Sequence, residues 1–267
     1  VSARTLKLTI CYDGTRLVGW QRQAEGVSVQ GLLEDALARF EGAPVAVHGA
    51  GRTDAGVHAL GQVASVELTC VHPPEVLARG LNAALPPDVR IVDATDVPAG
   101  FHARFSAHDK TYRYLVHTGP FVSPFERPYV WHLQDALDLQ AMRAAAAALV
   151  GTHDFAAFQS AGSSPATTVR TIRRSDVLLQ ESRRSLFLPA GADAVPTAGA
   201  ARLLVYEIVG SGFLRHMVRA IVGSLVEVGK GRRDAGWFAA ILAGGRRADA
   251  GATAPAQGLF LVGVDYH

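Results

Sequence analysis

Apolar and polar residues alternate near the start of the chain. Leu6, Leu8 and Ile10 flank Lys7 and Thr9, a period of two that predicts a strand with one buried face. Asp13-Gly14 signals a turn. The period then changes. Behind Ser28, which stands where a helix cap belongs, Val29, Leu32, Leu33, Ala36, Leu37 and Phe40 keep the spacing of one helical face. Residues 45–48 and 62–68 read as strands around the glycine-punctuated stretch 49–61. Pro73-Pro74 opens a second helix carrying Val76, Leu77, Leu81, Ala84 and Leu85, and Pro86-Pro87 stops it. Residues 89–97 read as another strand. The order is β-α-β-β-α-β, that of a ferredoxin-like unit.

The second half follows a similar plan. Residues 110–117 predict a strand, 135–150 an alanine-rich helix, and 171–179 and 203–209 two further strands. An amphipathic helix is expected over 213–228, a shorter one over 237–242, and a closing strand over 259–265. The two halves share element order without visible self-similarity. The expected fold class is therefore α/β (α+β), with two ferredoxin-like units, 1–105 and 106–267, side by side and a cleft between them, a common place for a ligand. Residues 189–200, rich in Ala, Gly and Pro, predict a mobile loop joining two strands.

Composition narrows the function classes. At 267 residues and 49% hydrophobic, the chain can bury one large core or two smaller ones. The longest apolar run, 144–150, is short and mostly alanine, so no membrane span is expected. The first residues alternate like a strand rather than a signal peptide. Two cysteines, Cys11 and Cys70, with no CxxC pair, argue against a disulfide framework or a zinc site, and a reducing cytoplasm fits. A net charge of +2 does not by itself mark a nucleic-acid binder. The distribution says more, because 23 arginines against 3 lysines include the pairs Arg173-Arg174, Arg183-Arg184, Arg232-Arg233 and Arg246-Arg247. The guanidinium fork donates two parallel hydrogen bonds to phosphate. A GC-rich genome accounts for the Arg/Lys ratio, but less well for the pairing. The single asparagine, Asn82, is compatible with a thermophilic source.

The strongest local signal is Gly49-Ala50-Gly51-Arg52-Thr53-Asp54-Ala55-Gly56-Val57-His58. Three glycines in eight residues let the backbone turn sharply and let a bulky ligand approach. The arginine's charge favours the carboxylate beside it, and a carboxylate can act as a nucleophile. Asp54 is equally suited to brace the loop through an Asx-turn, and residue type alone favours that role. The segment is not a phosphate loop, since it lacks the GK[ST] ending.

Gly51-Arg52-Thr53-Asp54-Ala55-Gly56-Val57-His58 resembles the signature of the tRNA pseudouridine synthase A family. The likeness extends to Tyr12-Asp13-Gly14 with Gly19-Trp20-Gln21-Arg22-Gln23, and to Phe101-His102-Ala103-Arg104-Phe105-Ser106 with Tyr112-Arg113-Tyr114. It continues in Phe213-Leu214-Arg215-His216-Met217-Val218-Arg219 with Ile221-Val222-Gly223, and in Thr253-Ala254-Pro255 with Gly258-Leu259 and Val264-Asp265-Tyr266. The blocks stand in family order over nearly the whole chain. The clearest departure is an insertion-like stretch at 189–200.

The resemblance implies a continuous, mostly antiparallel central sheet with helices on one side and a central RNA-binding cleft. It implies conversion of uridines 38, 39 and 40 of the tRNA anticodon arm to pseudouridine, without cofactor or metal, by a cytoplasmic homodimer. Asp54 would be the nucleophile, attacking either C6 of the base or C1′ of the ribose. Arg219 would keep the carboxylate ionised, and Tyr112 would stack on the flipped base, with its hydroxyl placed to help remove the C5 proton. Arg52 would hold phosphate or fill the space the base leaves. Tyr114 reads as a core residue, and His58 as a structural hydrogen-bonding residue. Arg22, Arg170, Arg173 and Arg174 are candidates for phosphate contact. The geometric expectation is that Asp54, Tyr112 and Arg219 converge.

Two rivals remain. A non-catalytic RNA-binding module would normally show aromatic RNP motifs, which are not found. A phosphotransfer enzyme using Asp13 would normally carry another aspartate two residues earlier, where this chain has Cys11.

Overall fold

A computed structural model of the chain describes residues 3–160, 166–180 and 202–267. The expected loop at 189–200 lies outside the described residues. The chain divides into two compact units. One comprises the chain up to Thr111 with Phe260–His267, the other Tyr112–Leu259.

In the first unit the alternation seen in sequence becomes β1 (Arg4–Tyr12), whose Leu6, Leu8 and Ile10 have no exposed surface. Burying each such side chain is worth about 1.5–3 kcal/mol. Helix α1 (Val29–Glu41) starts where Ser28 Oγ accepts the Gly31 N–H, and ends at Gly42 in a left-handed conformation, φ 72°. Strands β2 (Val47–Gly49) and β3 (His58–Leu68), helix α2 (Pro74–Ala84) and strand β4 (Val89–Val97) follow. The strand order is β4-β1-β3, and β1 is antiparallel to both neighbours.

In the second unit, β5 (Asp109–Thr118) places Tyr112, Tyr114 and Val116 on one buried face, as their spacing predicts. The short strand β6 (Trp131–Leu133) pairs with it in parallel. Helix α3 (Leu139–Ala147) is shorter than the sequence pattern suggested. Its cap is Asp138, whose Oδ1 accepts the Ala141 N–H, whereas Asp135 lies outside the helix and pairs with Lys230 Nζ at 2.7 Å. Strands β7 (Gly151–Asp154), β8 (Val169–Gln180) and β9 (Arg202–Gly210) complete the order β5-β9-β8-β7. Helix α4 (Met217–Gly229) begins four residues later than expected. His216 is left-handed, φ 63°, and a helix cannot run through such a residue. Helix α5 (Ala235–Leu242) is capped by Asp234.

The last strand, β10 (Leu259–Asp265), returns to the first unit and lies parallel to β3, with Phe260 opposite His58. That pairing lies where β3 extends beyond the strand expected from sequence. The chain is thus mixed α/β, and its strand pairings are mostly antiparallel. Among the described residues no helix is long and apolar enough to cross a membrane.

Candidate active site

Asp54 sits in the turn before β3, and the N-terminal motif braces that turn. Trp20 N–H donates to the Thr53 carbonyl at 3.0 Å, and Gly56 N–H to the Leu17 carbonyl at 3.3 Å. Val57 N–H closes the turn on the Asp54 carbonyl at 3.2 Å. Gln62 Nε2 donates to the Gly51 carbonyl at 2.9 Å. Two glycines are required by close approach. A Cβ on Gly14 would lie 2.0 Å from the Val57 carbonyl oxygen, and one on Gly19, φ +105°, 2.5 Å from that of Thr53. The tight fit leaves Asp54 partly exposed and Arg52 exposed. No acidic side chain among the described residues pairs with Arg52. The Tyr12-Asp13-Gly14 and Gly19-Trp20 blocks therefore support the Asp54 turn, a task the sequence pattern left unassigned. The family block marked these residues in sequence, but only the glycines hinted at a close backbone approach.

Asp13 has a structural task. Its Oδ1 accepts from Thr15 N–H at 2.9 Å and from the Thr15 hydroxyl at 2.6 Å. His58, 1% exposed, accepts the Gly14 N–H at Nδ1 (3.1 Å) and stacks on Phe260 with ring centroids 4.7 Å apart. His58 Nδ1 also lies 3.1 Å from Asp13 Oδ1, so the ring ties the Asp13-Gly14 turn to the start of β3.

Beneath the turn, the Tyr12 hydroxyl shares a hydrogen bond with Thr53 Oγ1 at 2.8 Å. Burial pushes the Tyr12 phenol up from 10.0 to about 12, against smaller downward pulls from Thr53 and Gln62. A raised folded-state value means that this group's stabilisation is fully present below pH 10 and is lost as pH rises towards 12. The loss should reach roughly 3 kcal/mol for Tyr12. Burial raises Tyr114, Tyr206 and Tyr266 in the same direction. Urea unfolding between about pH 9 and pH 12 should therefore show falling stability, less steeply in Tyr12→Phe than in the wild type. Equal slopes in the two proteins would remove Tyr12 from this account.

In the second unit the residues of the other motifs meet around one backbone segment. The Tyr114 hydroxyl donates to the Pro255 carbonyl at 2.7 Å, and Arg219 Nε to the Ala254 carbonyl at 2.7 Å. Ala254 N–H donates back to the Arg219 carbonyl at 3.1 Å. Arg219 is also close enough to Tyr114 for its charge to oppose the upward shift that burial imposes on the phenol. Tyr114 is fully buried, in keeping with a core role. Tyr112, on the same face of β5, is 6% exposed and meets Phe213 edge to face with centroids 5.0 Å apart. The Tyr112 strand, the Arg219 helix and the Thr253-Ala254-Pro255 segment thus form one assembly. Asp54, Arg52 and His58 belong to the first unit.

The four candidate phosphate-binding arginines differ. Arg22 is held by Glu34 (2.9 Å) and Asp35 (2.6 Å). Arg174 is paired with Glu207, which also takes Arg113. Arg170 donates to the Thr167 and Val169 carbonyls. Arg173 is exposed on β8. The ion pairs at Arg22 and Arg174 were not legible from sequence, because they depend on side chains brought close by the fold.

The sequence profile described as tRNA pseudouridine synthase matches residues 9–106 and 145–267. The tRNA pseudouridine synthase A of Myxococcus xanthus is 48% identical over 261 residues, covering 98% of this chain and 91% of that protein. The proteins of the same name from Syntrophotalea carbinolica and Citrifermentans bemidjiense are each 45% identical. They too cover 98% of this chain, and 96% and 98% of their own lengths.

Proposed function

The chain belongs to the tRNA pseudouridine synthase A family, and from that premise we propose that it isomerises uridines 38, 39 and 40 of the tRNA anticodon arm with Asp54 as nucleophile. The enzyme is an isomerase. The observation that best supports the assignment is the Gly51-Arg52-Thr53-Asp54-Ala55-Gly56 turn, braced by backbone hydrogen bonds from Leu17 and Trp20 in the N-terminal region, with Arg52 exposed and Asp54 partly exposed.

Under this reading the bond between C1′ and N1 breaks, the base turns, and a bond from C1′ to C5 forms. N1 gains a proton and C5 loses one, so no net oxidant or reductant is required and no cofactor enters. Asp54 holds one fragment covalently during the turn, by addition at C6 or at C1′, and leaves when the new bond is made. Tyr112 offers its ring to the flipped base, and Arg219 supplies positive charge to the carboxylate. Arg52, exposed and without an acidic partner among the described residues, suits a phosphate contact or the gap left by the base. The active species is a homodimer. Each subunit carries two units of ferredoxin-like plan, a reading supported by the β-α-β-β-α-β order of the first.

Tritium release from tRNA carrying 5-tritiated uridine tests the reaction, and carbodiimide mapping tests the position. Modification confined to uridines 38, 39 and 40 is the expected result. Modification at another uridine would keep the chemistry and overturn the substrate assignment. Absence of release would overturn both.

A further inference from the structure

Residues 101–106 of the first unit form a hydrogen-bonded turn that holds a large aromatic side chain out in solvent. Ala103 is fully buried in a cluster with Ala50 and Val63. Its N–H donates to Ser65 Oγ at 3.0 Å, and its carbonyl accepts the Tyr266 hydroxyl at 2.7 Å. His102 Nδ1 accepts the N–H groups of Arg104 (3.1 Å) and Phe105 (3.4 Å), while Ser106 N–H donates to the His102 carbonyl at 2.9 Å. The backbone of Phe105 is thereby anchored, yet its side chain is 76% exposed.

A lone exposed phenylalanine is ordinary. This one ends a ladder of rings. Its centroid is 4.4 Å from that of His102, which in turn stacks on His48 at 5.0 Å with an interplanar angle of 29°. The Arg104 guanidinium lies 5.5 Å from the Phe105 centroid. Aromatic faces beside a cation are the elements that bind an unpaired nucleotide, the ring stacking on the base and the cation meeting its phosphate.

Two observations tie the ladder to the Asp54 turn. Ala50, in the cluster that supports the 101–106 turn, directly precedes Gly51-Arg52. His48 stands four residues before Arg52 in the same segment. The neighbourhood also carries positive charge in Arg52, Arg104 and Lys110. No acidic side chain among the described residues pairs with Arg52 or Arg104. Lys110, mostly buried, is pushed down first by burial and then by the charge of Arg104, against a smaller upward pull from Asp109.

We propose that the His48-His102-Phe105 ladder is a stacking platform for an unpaired nucleotide flanking the target uridine, with Arg104 taking that nucleotide's phosphate. The proposal rests on the tRNA-modifying reading. It concerns a base other than the one that reacts. An unpaired nucleotide fits because bases within a duplex have their faces covered, whereas those in loops can be splayed onto aromatic rings.

The test compares the wild type with Phe105→Ala, Phe105→Leu and Phe105→Trp in equilibrium binding of an unmodified tRNA transcript, with tritium release measured on the same preparations. Phe105→Ala and Phe105→Leu should each raise Kd about tenfold, and Phe105→Trp should stay within about twofold of wild type. The introduced indole should also lose fluorescence on binding. Arg104→Ala should lower the slope of log K against log salt by about one. Wild-type affinity in Phe105→Ala would overturn the platform, and wild-type affinity in Phe105→Leu would show that apolar bulk suffices and overturn stacking. Wild-type protein that binds tRNA without releasing tritium would overturn the synthase reading alone, because the binding comparison still decides the platform. Wild-type protein that does not bind tRNA overturns both.

Discussion

Asp54→Asn is expected to abolish tritium release from 5-tritiated tRNA, lowering turnover by at least roughly 10⁴-fold, while tRNA binding stays near wild type. Asparagine has almost the same size and shape as aspartate. It also closes Asx-turns, so a purely turn-bracing role would survive the change. What it lacks is the anionic oxygen that forms the covalent link. The turn does not depend on the carboxylate alone. Val57 N–H bonds the Asp54 main-chain carbonyl, Trp20 N–H bonds that of Thr53, and Gly56 N–H bonds that of Leu17. The substitution therefore separates chemistry from architecture. Release at the wild-type rate would return Asp54 to the structural role that residue type alone favoured.

Gly223→Ala should lower stability by about 3 kcal/mol, towards the upper end of what overpacking costs. In a protein of this size that corresponds to a fall in Tm of roughly 6–12 °C. The sign is informative, because alanine in a helix interior ordinarily gains about 1 kcal/mol over glycine. Here a Cβ on Gly223 would lie 1.7 Å from the Ala252 carbonyl oxygen, a backbone atom with little freedom to yield. The helix and the 251–254 segment lie backbone against backbone. Ser224 Oγ donates to the Ala220 carbonyl and accepts the Gly251 N–H, both at 2.9 Å. One turn away, Arg219 is bonded to Ala254 through both side chain and main chain. Forcing the segment away should also displace Arg219 and the Tyr114 anchor at Pro255, so turnover at 25 °C should fall in protein that is still folded. Differential scanning calorimetry and single-turnover kinetics on one preparation check both statements. An unchanged or higher Tm would show that the segment can move aside.

The legible parts of the fold were those whose cause is local. The period-two run around Leu6, Leu8 and Ile10 is β1, and the Ser28 cap and the apolar stripe behind it are α1. Pro73-Pro74 stands at the start of α2. The shifts at helix starts have physical reasons visible only in three dimensions. The alanine-rich pattern begins at Asp135, but Lys230 takes that carboxylate, and it is Asp138 that accepts the Ala141 N–H. His216 looks like an ordinary helix residue until its φ of 63° is known. Strands β6 and β7, of three and four residues, are too short for alternation to reveal and exist through their pairing.

For the candidate site the division is similar. The sequence by itself determined the family, the Asp54 turn and the face shared by Tyr112 and Tyr114, because motifs and side-chain periodicity are written residue by residue. Only the tertiary structure decided what the surrounding residues do. The glycines at 14 and 19 leave room for the carbonyls of Val57 and Thr53. Tyr12 supports Thr53, Pro255 anchors Tyr114, and Glu34 and Asp35 hold Arg22. Hydrogen bonds, ion pairs and backbone clearances act over a few ångströms between residues distant in sequence. The order of residues contains no such distances, and folding creates them.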